Sequence, residues 1–163
     1  MAAGVTYEPI ATSTSSGNNS GVGFSGFSSS YTDLVLTIYS KMNSGVNEYT
    51  IQFNGDSGQS YSYTRLYGTG SSAASSNAAN DSTGITSNIS NSASNPTQMI
   101  VNFQNYSNST TYKTALTRFD DASAIVFAIV GLWRSTSAIS TIEINGDGTN
   151  LSSGTTATLY GIL

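Results

Sequence analysis

Residues 49–54 read YTIQFN, which puts Tyr49, Ile51 and Phe53 on one side of an extended backbone and Thr50, Gln52 and Asn54 on the other. Such a segment buries one face only as a strand. Short segments rich in Val, Ile, Thr, Tyr and Phe recur about every ten to fifteen residues along the chain, between clusters of Gly, Ser and Asn. That rhythm is the mark of an all-β protein, and we expect an antiparallel two-sheet β-sandwich, jelly-roll-like, of about ten strands.

Particular segments refine this expectation. Residues 5–12 contain Pro9, which has no N–H to give to a ladder, so residues 1–12 are expected to form an edge strand or an arm reaching outward. Asn54-Gly55 between two alternating runs predicts a tight hairpin whose second arm covers residues 59–67. In that arm Tyr61, Tyr63, Arg65 and Tyr67 share one face, opposite Ser62, Thr64 and Leu66. Residues 68–82 are small and polar without periodicity, and are expected to form a long surface loop. Residues 124–134 (AIVFAIVGLWR) are apolar on both faces, which suits a central strand covered on both sides or a strand at a subunit contact. The apolar ending TLYGIL is expected to pair into a sheet.

Length and composition then narrow the function. A chain of 163 residues makes one domain, 1–163. Ser, Thr and Asn number 30, 21 and 15, yet 10 Tyr, 6 Phe and 1 Trp supply the apolar area that a disordered chain lacks. Charged residues are 9% of the chain, against about 25% in ordinary soluble domains, and the deficit falls on helix-favouring residues. Five basic residues scattered among nine acids make no stripe for a phosphate backbone, so nucleic acid is not expected as a partner. The N-terminus has no basic-then-apolar leader pattern, and the longest near-apolar run, 124–133, is half a membrane-spanning helix, so no membrane partner is expected.

With no Cys and no His, disulfides, thiolate metal sites, cysteine nucleophiles and a Ser-His-Asp triad are excluded. The carboxylates available for glycoside hydrolysis have simpler readings. Asp120 and Asp121 follow Phe119 where a turn is expected, and Asp56 and Asp147 lie in Asn-Gly-Asp turns that Asx-type hydrogen bonds explain. Residues 145–150 place oxygen side chains at alternate positions, as a Ca²⁺ loop would, but lack the carboxylates and the closing Glu of an EF-hand. Six Asn-x-Ser/Thr sequons follow from composition alone. We therefore expect no enzyme activity, no metal and no cofactor. The tyrosine face, with Arg65, Trp133 and Arg134, is either part of the core or an exposed cluster suited to sugars or a protein partner.

The runs YEPIAT (7–12), YTDLVL (31–36), QFNGDSGQSYSYTRLYG (52–68), NYSNSTTYKT (105–114), VGLWRSTSAI (130–139) and LYGI (159–162) occur in an order that resembles small β-sandwich virion proteins of tailed bacteriophages, especially those of cyanobacteria and marine bacteria. The resemblance spans nearly the whole chain. It implies a jelly-roll-like sandwich, often oligomeric, without catalysis or cofactor, serving as a capsid decoration (cement) protein or as a domain of a tail fibre. The chain runs directly from its methionine into the domain with no rod, which favours decoration. We expect it on the outer capsid surface, bound to the major capsid protein and to itself as a homotrimer. Tyr7, Pro9 and Ile10 would form a capsid-facing arm, and Tyr61, Tyr63, Arg65, Tyr67, Trp133 and Arg134 further partner contacts. The alternative is a receptor- or glycan-binding module of a virion appendage that meets a host surface glycan.

Overall fold

The computed structural model describes residues 6–17, 21–40, 49–87, 96–121, 125–146 and 151–163. In these residues the chain forms twelve strands: β1 (Tyr7–Thr14), β2 (Gly21–Ser25), β3 (Asp33–Ser40), β4 (Tyr49–Phe53), β5 (Tyr61–Gly68), β6 (Ala73–Asp81), β7 (Ile85–Ser87), β8 (Thr97–Phe103), β9 (Lys113–Asp121), β10 (Val126–Trp133), β11 (Thr141–Gly146) and β12 (Thr156–Ile162). An eight-stranded sheet in the order β1-β12-β3-β8-β9-β10-β5-β6 packs on a four-stranded sheet in the order β2-β11-β4-β7. All neighbouring pairs are antiparallel. The fold is an all-β sandwich.

A jelly roll lies inside this order. The chain alternates between sheets through β1, β2, β3 and β4, and again through β7, β8, β11 and β12, giving β1-β12-β3-β8 against β2-β11-β4-β7. Two hairpins interrupt the alternation. Both β5–β6 and β9–β10 join the large sheet beside β8 and double its width. Between the sheets, alternate side chains of facing strands fill the core: Leu34, Leu36 and Ile38 of β3, Ile51 and Phe53 of β4, Val101 and Phe103 of β8, Ile142 and Ile144 of β11. Phe53 and Phe103 meet edge to face at 5.5 Å. The C-terminal segment is strand β12, held between β1 and β3.

Several expectations change. Asn54 and Gly55 both take positive φ (53° and 65°), and the Asp56 N–H donates to the Phe53 carbonyl at 2.9 Å, as in a type I′ turn. Yet no hairpin forms, because β4 pairs with β11 and β7 while β5 pairs with β10 and β6. The two arms carry their aromatic faces to opposite walls of one interior, which buries both; side by side in one sheet, they would need another layer to cover them. The turn is kept for other bonds: the Asn54 side chain accepts from the N–H groups of Ser140 (2.8 Å) and Thr141 (3.0 Å) and donates to the Ala138 carbonyl (2.8 Å).

Residues 68–82 are not a long loop. Thr69 N–H donates to the Ser72 carbonyl at 2.9 Å, closing a short turn, and the chain returns along β5 as β6. Its Ala, Ser and Asn side chains show no hydrophobic period because β6 is the sheet edge and is exposed over most of its length. Backbone pairing, not burial, defines it. The turn expected at Asp120 is likewise the end of β9. Pro9 does lie in an edge strand: among the described residues β1 pairs only with β12, and a register shift between Pro9 and Ala11 leaves Ile10 as the extra residue, half-buried against the core. Residues 7–12 are therefore not a free arm; Val5 lies outside the described residues.

Candidate docking face

The face of β5 that carries the tyrosines points between the sheets. Tyr61 is fully buried, and Tyr63 nearly so. The Tyr61 hydroxyl accepts from the Phe53 N–H at 3.0 Å and donates to the Phe53 carbonyl at 3.3 Å, tying the large sheet to β4; burial pushes its pKa up to about 12. Trp133, its cross-strand neighbour on β10, is buried against Phe53 and donates its indole N–H to Asp56 Oδ2 at 2.7 Å. That bond, with a second from the Gly58 N–H, holds the Asp56 carboxyl below the usual carboxylate range. Tyr61, Tyr63 and Trp133 are thus core, not an exposed partner cluster, because their strand faces the four-stranded sheet.

The remaining expected residues divide. Tyr67 is half-buried and stacks on Phe127 at 5.5 Å, which in turn stacks on Phe119 at 4.3 Å. Arg65 lies 5.5 Å from the Tyr63 ring centre and donates through Nε to Ser76 Oγ on β6. Arg134 donates through Nη2 to the Gln59 carbonyl and, at 3.0 Å, to Asn80 Oδ1. Both arginines fasten β6 to the body of the protein. Tyr7, at 56% exposure, and Pro9 remain open on β1, far across the eight-stranded order from β6. The structure therefore does not bring the nine residues together.

It assembles a different surface, on the outer face of the eight-stranded sheet. Strand register builds this face row by row. Leu66 of β5 pairs with Ala128 of β10, Ala128 with Arg118 of β9, Arg118 with Ile100 of β8, and Ile100 with Thr37 of β3. In the next row Val126 pairs with Asp120, Asp120 with Gln98, and Gln98 with Tyr39. These outward side chains and the backbone between them line an open trough of about 1270 Å³. Leu66 (60%), Val126 (61%) and Val130 (56%) stand exposed, joined by Leu116, Ile100 and Tyr39. Contiguous apolar exposure of this kind marks a docking surface more often than isolated exposed residues do.

One signal for this surface was present in the sequence: residues 124–134 are apolar on both faces. The structure answers that ambiguity by burying Phe127, Ile129 and Trp133 inward and leaving Val126 and Val130 outward on an open face, so β10 is central but covered on one side only. Leu66, between Arg65 and Tyr67, and Leu116, between Ala115 and Thr117, stand in strands without a second apolar face and gave no comparable signal.

Among the described residues no group of three or more His, Cys, Asp or Glu converges, and no helix is long and apolar enough to cross a membrane. Asp147 and Asn150 of the possible Ca²⁺ loop lie outside the described residues. Comparison with family models, curated proteins and solved structures gives no match.

Proposed function

We propose that this chain is a virion structural protein of a tailed bacteriophage, a capsid decoration protein that docks through the outer face of its eight-stranded sheet on the assembled head. The observation that carries the reading is the exposed apolar group Leu66, Leu116, Val126 and Val130 on an exterior rich in small uncharged polar residues. The resemblance of residues 7–12, 31–36, 52–68, 105–114, 130–139 and 159–162 to phage sandwich proteins supplies the partner class, the major capsid protein. The mechanism is mass action: a protein that binds only the assembled lattice raises the cost of disassembly by its own binding free energy at every copy. Low charge density keeps such contacts insensitive to salt.

Mixing the purified chain at micromolar concentration with undecorated heads of a tailed cyanophage tests this. The chain is expected to co-sediment with the heads and raise their thermal disruption temperature, and a Val126→Asp/Val130→Asp variant to lose both effects. No co-sedimentation, or undiminished binding by the variant, contradicts the reading.

A second reading rests on the trough itself. Tyr39, Gln98, Arg118 and Asp120 border it, a ring with amide, guanidinium and carboxylate groups of the sort that holds a saccharide by stacking and hydrogen bonds. A receptor- or glycan-binding module of a virion appendage would use them. Binding on a glycan array that is lost on Tyr39→Ala supports this alternative; a blank array removes it.

A further inference from the structure

The edges of the two sheets are unequal. An edge strand presents alternate N–H and C=O groups with no partner, and natural sheets blunt such edges with charge, proline, bulges or brevity. β1 carries Glu8, Pro9 and a bulge at Ile10. In the small sheet, β2 has five residues and β7 three. β6 is different. From 73 to 79 it reads AASSNAA, in regular register with β5, with no charge, no proline and no bulge. Its first irregularity is Asn80, at φ 57°, the extra residue between Ala79 and Asp81. The strand is also held in place from behind, by Arg65 on Ser76 and Arg134 on Asn80.

We propose that β6 pairs antiparallel with β6 of a second copy of this chain, about a two-fold axis at Ser76, so that two eight-stranded sheets become one continuous sheet. Register favours a copy of the same strand. With the axis at Ser76, Ala73 lies opposite Ala79 and Ser75 opposite Asn77, so only small neutral side chains face one another, and Asp81, the one charge on the strand, falls outside the paired stretch in both copies. Residues related by such an axis present matching outward backbone groups, so each unpaired N–H meets an unpaired C=O. Side chains no larger than Asn let the two edges close to the ordinary strand spacing of about 4.8 Å.

The axis stands perpendicular to the sheet and keeps both outer faces on one side. Leu66 pairs with Ser75, one strand in from the seam, so the exposed apolar faces of the two copies flank it. A dimer docks through two such faces at once, which multiplies avidity without new contacts. Pairing seven residues a side is well below the roughly 20–30 of a standard stable interface, so the dimer forms in proportion to concentration. The symmetry is two-fold, in place of the three-fold suggested by the resemblance.

Analytical ultracentrifugation of the intact chain alone, from about 1 µM to about 500 µM, tests the proposal without phage heads, so its failure leaves the docking reading standing. The expected result is a monomer–dimer equilibrium that is abolished by S75K/N77K. Both positions are exposed, and the axis sets position 75 of one copy against position 77 of the other, so the double variant brings like charges together across the seam, while circular dichroism verifies that it keeps its fold. Hydrogen exchange on the unaltered chain supplies a second readout: alternate amides within 73–79 slow as concentration rises. A monomer at every concentration, a trimer, a dimer that survives in the variant, or exchange that slows only outside β6 overturns the proposal.

Discussion

The eight jelly-roll strands and the four-stranded extension are built from the same residue types and expose their aliphatic side chains to different degrees. In the jelly-roll part, inward residues such as Leu34, Leu36, Ile142 and Ile144 are wholly buried, and the large apolar side chains left exposed on its strands are Tyr7, Tyr39 and Ile100, two of them tyrosines with a polar tip. In the extension, β9, β10 and β5 fill their inner face with Ala115, Phe119, Ile129, Trp133 and Tyr61, then add Leu116, Val126, Val130 and Leu66 on the outside. A chain so poor in large aliphatics gains no folding stability by displaying them to water. On the proposed reading the difference is one of role: the apolar exterior of the extension makes the contact, and the jelly roll is the frame behind it.

The largest effect should come from cutting the stitch between the two regions. Trp133 packs on Phe53 of β4, so Trp133→Ala removes its contacts and its bond to Asp56 together, and a loss of about 3–5 kcal/mol is expected in urea unfolding. A loss under about 1 kcal/mol would mean that the extension is not anchored there.

Crowding the same seam from the other side should cost less. A Cβ on Gly131 would stand 2.5 Å from Ile85 Cδ1 of β7, so Gly131→Ala is expected to destabilise by about 1–3 kcal/mol through overpacking. Chemical denaturation reads the difference, and an unchanged midpoint would show that β7 moves freely over β10.

Smaller again is the polar tie. Asp56→Asn weakens the acceptor of the Trp133 indole N–H, with an expected loss of about 1–2 kcal/mol at pH 7. The pH dependence has a defined sign. Hydrogen bonds from Trp133 and Gly58 hold the Asp56 carboxyl below its usual range, so the folded protein binds that proton more weakly than the unfolded chain does. Its contribution is full above the ordinary carboxylate pKa and drains away as pH falls through the depressed folded value. The stability gap between the wild type and Asp56→Asn should therefore narrow in acid; a gap that widens would reverse the assignment.

The smallest effect on stability is expected on the outer face. Val126→Thr and Val130→Thr should each stay within about 0.5 kcal/mol of the wild type, because both side chains are already exposed. On the proposed reading their effect falls on docking. If either destabilises as a core residue would, the face is part of the monomer's own packing and the contrast between regions collapses.

The fold was largely legible because the period-2 pattern survives composition: Tyr49, Ile51 and Phe53 face inward as their alternation requires, and Pro9 sits on an edge strand as its missing N–H requires. Pairing partners were not legible. Asn54-Gly55 makes its turn, but whether the arms pair or face one another depends on which surfaces need covering, a property of the whole sandwich. β6 was invisible because Ala, Ser and Asn on an exposed edge carry no burial signal. For the tyrosines of β5 the sequence leaves core and exposed cluster both open, and the structure buries Tyr61 and Tyr63, as the scarcity of aliphatics favours. The outer face was half visible, through residues 124–134; its other members come from strands whose register no local pattern fixes.

The central claim is that the outer face of the eight-stranded sheet is the contact surface. Electron cryomicroscopy of phage heads incubated with the chain tests it most directly: the expected result is lattice-wide density with Leu66, Val126 and Val130 against the shell. Density confined to the tail, or copies on the head whose eight-stranded sheet turns its outer face to solvent, would contradict it.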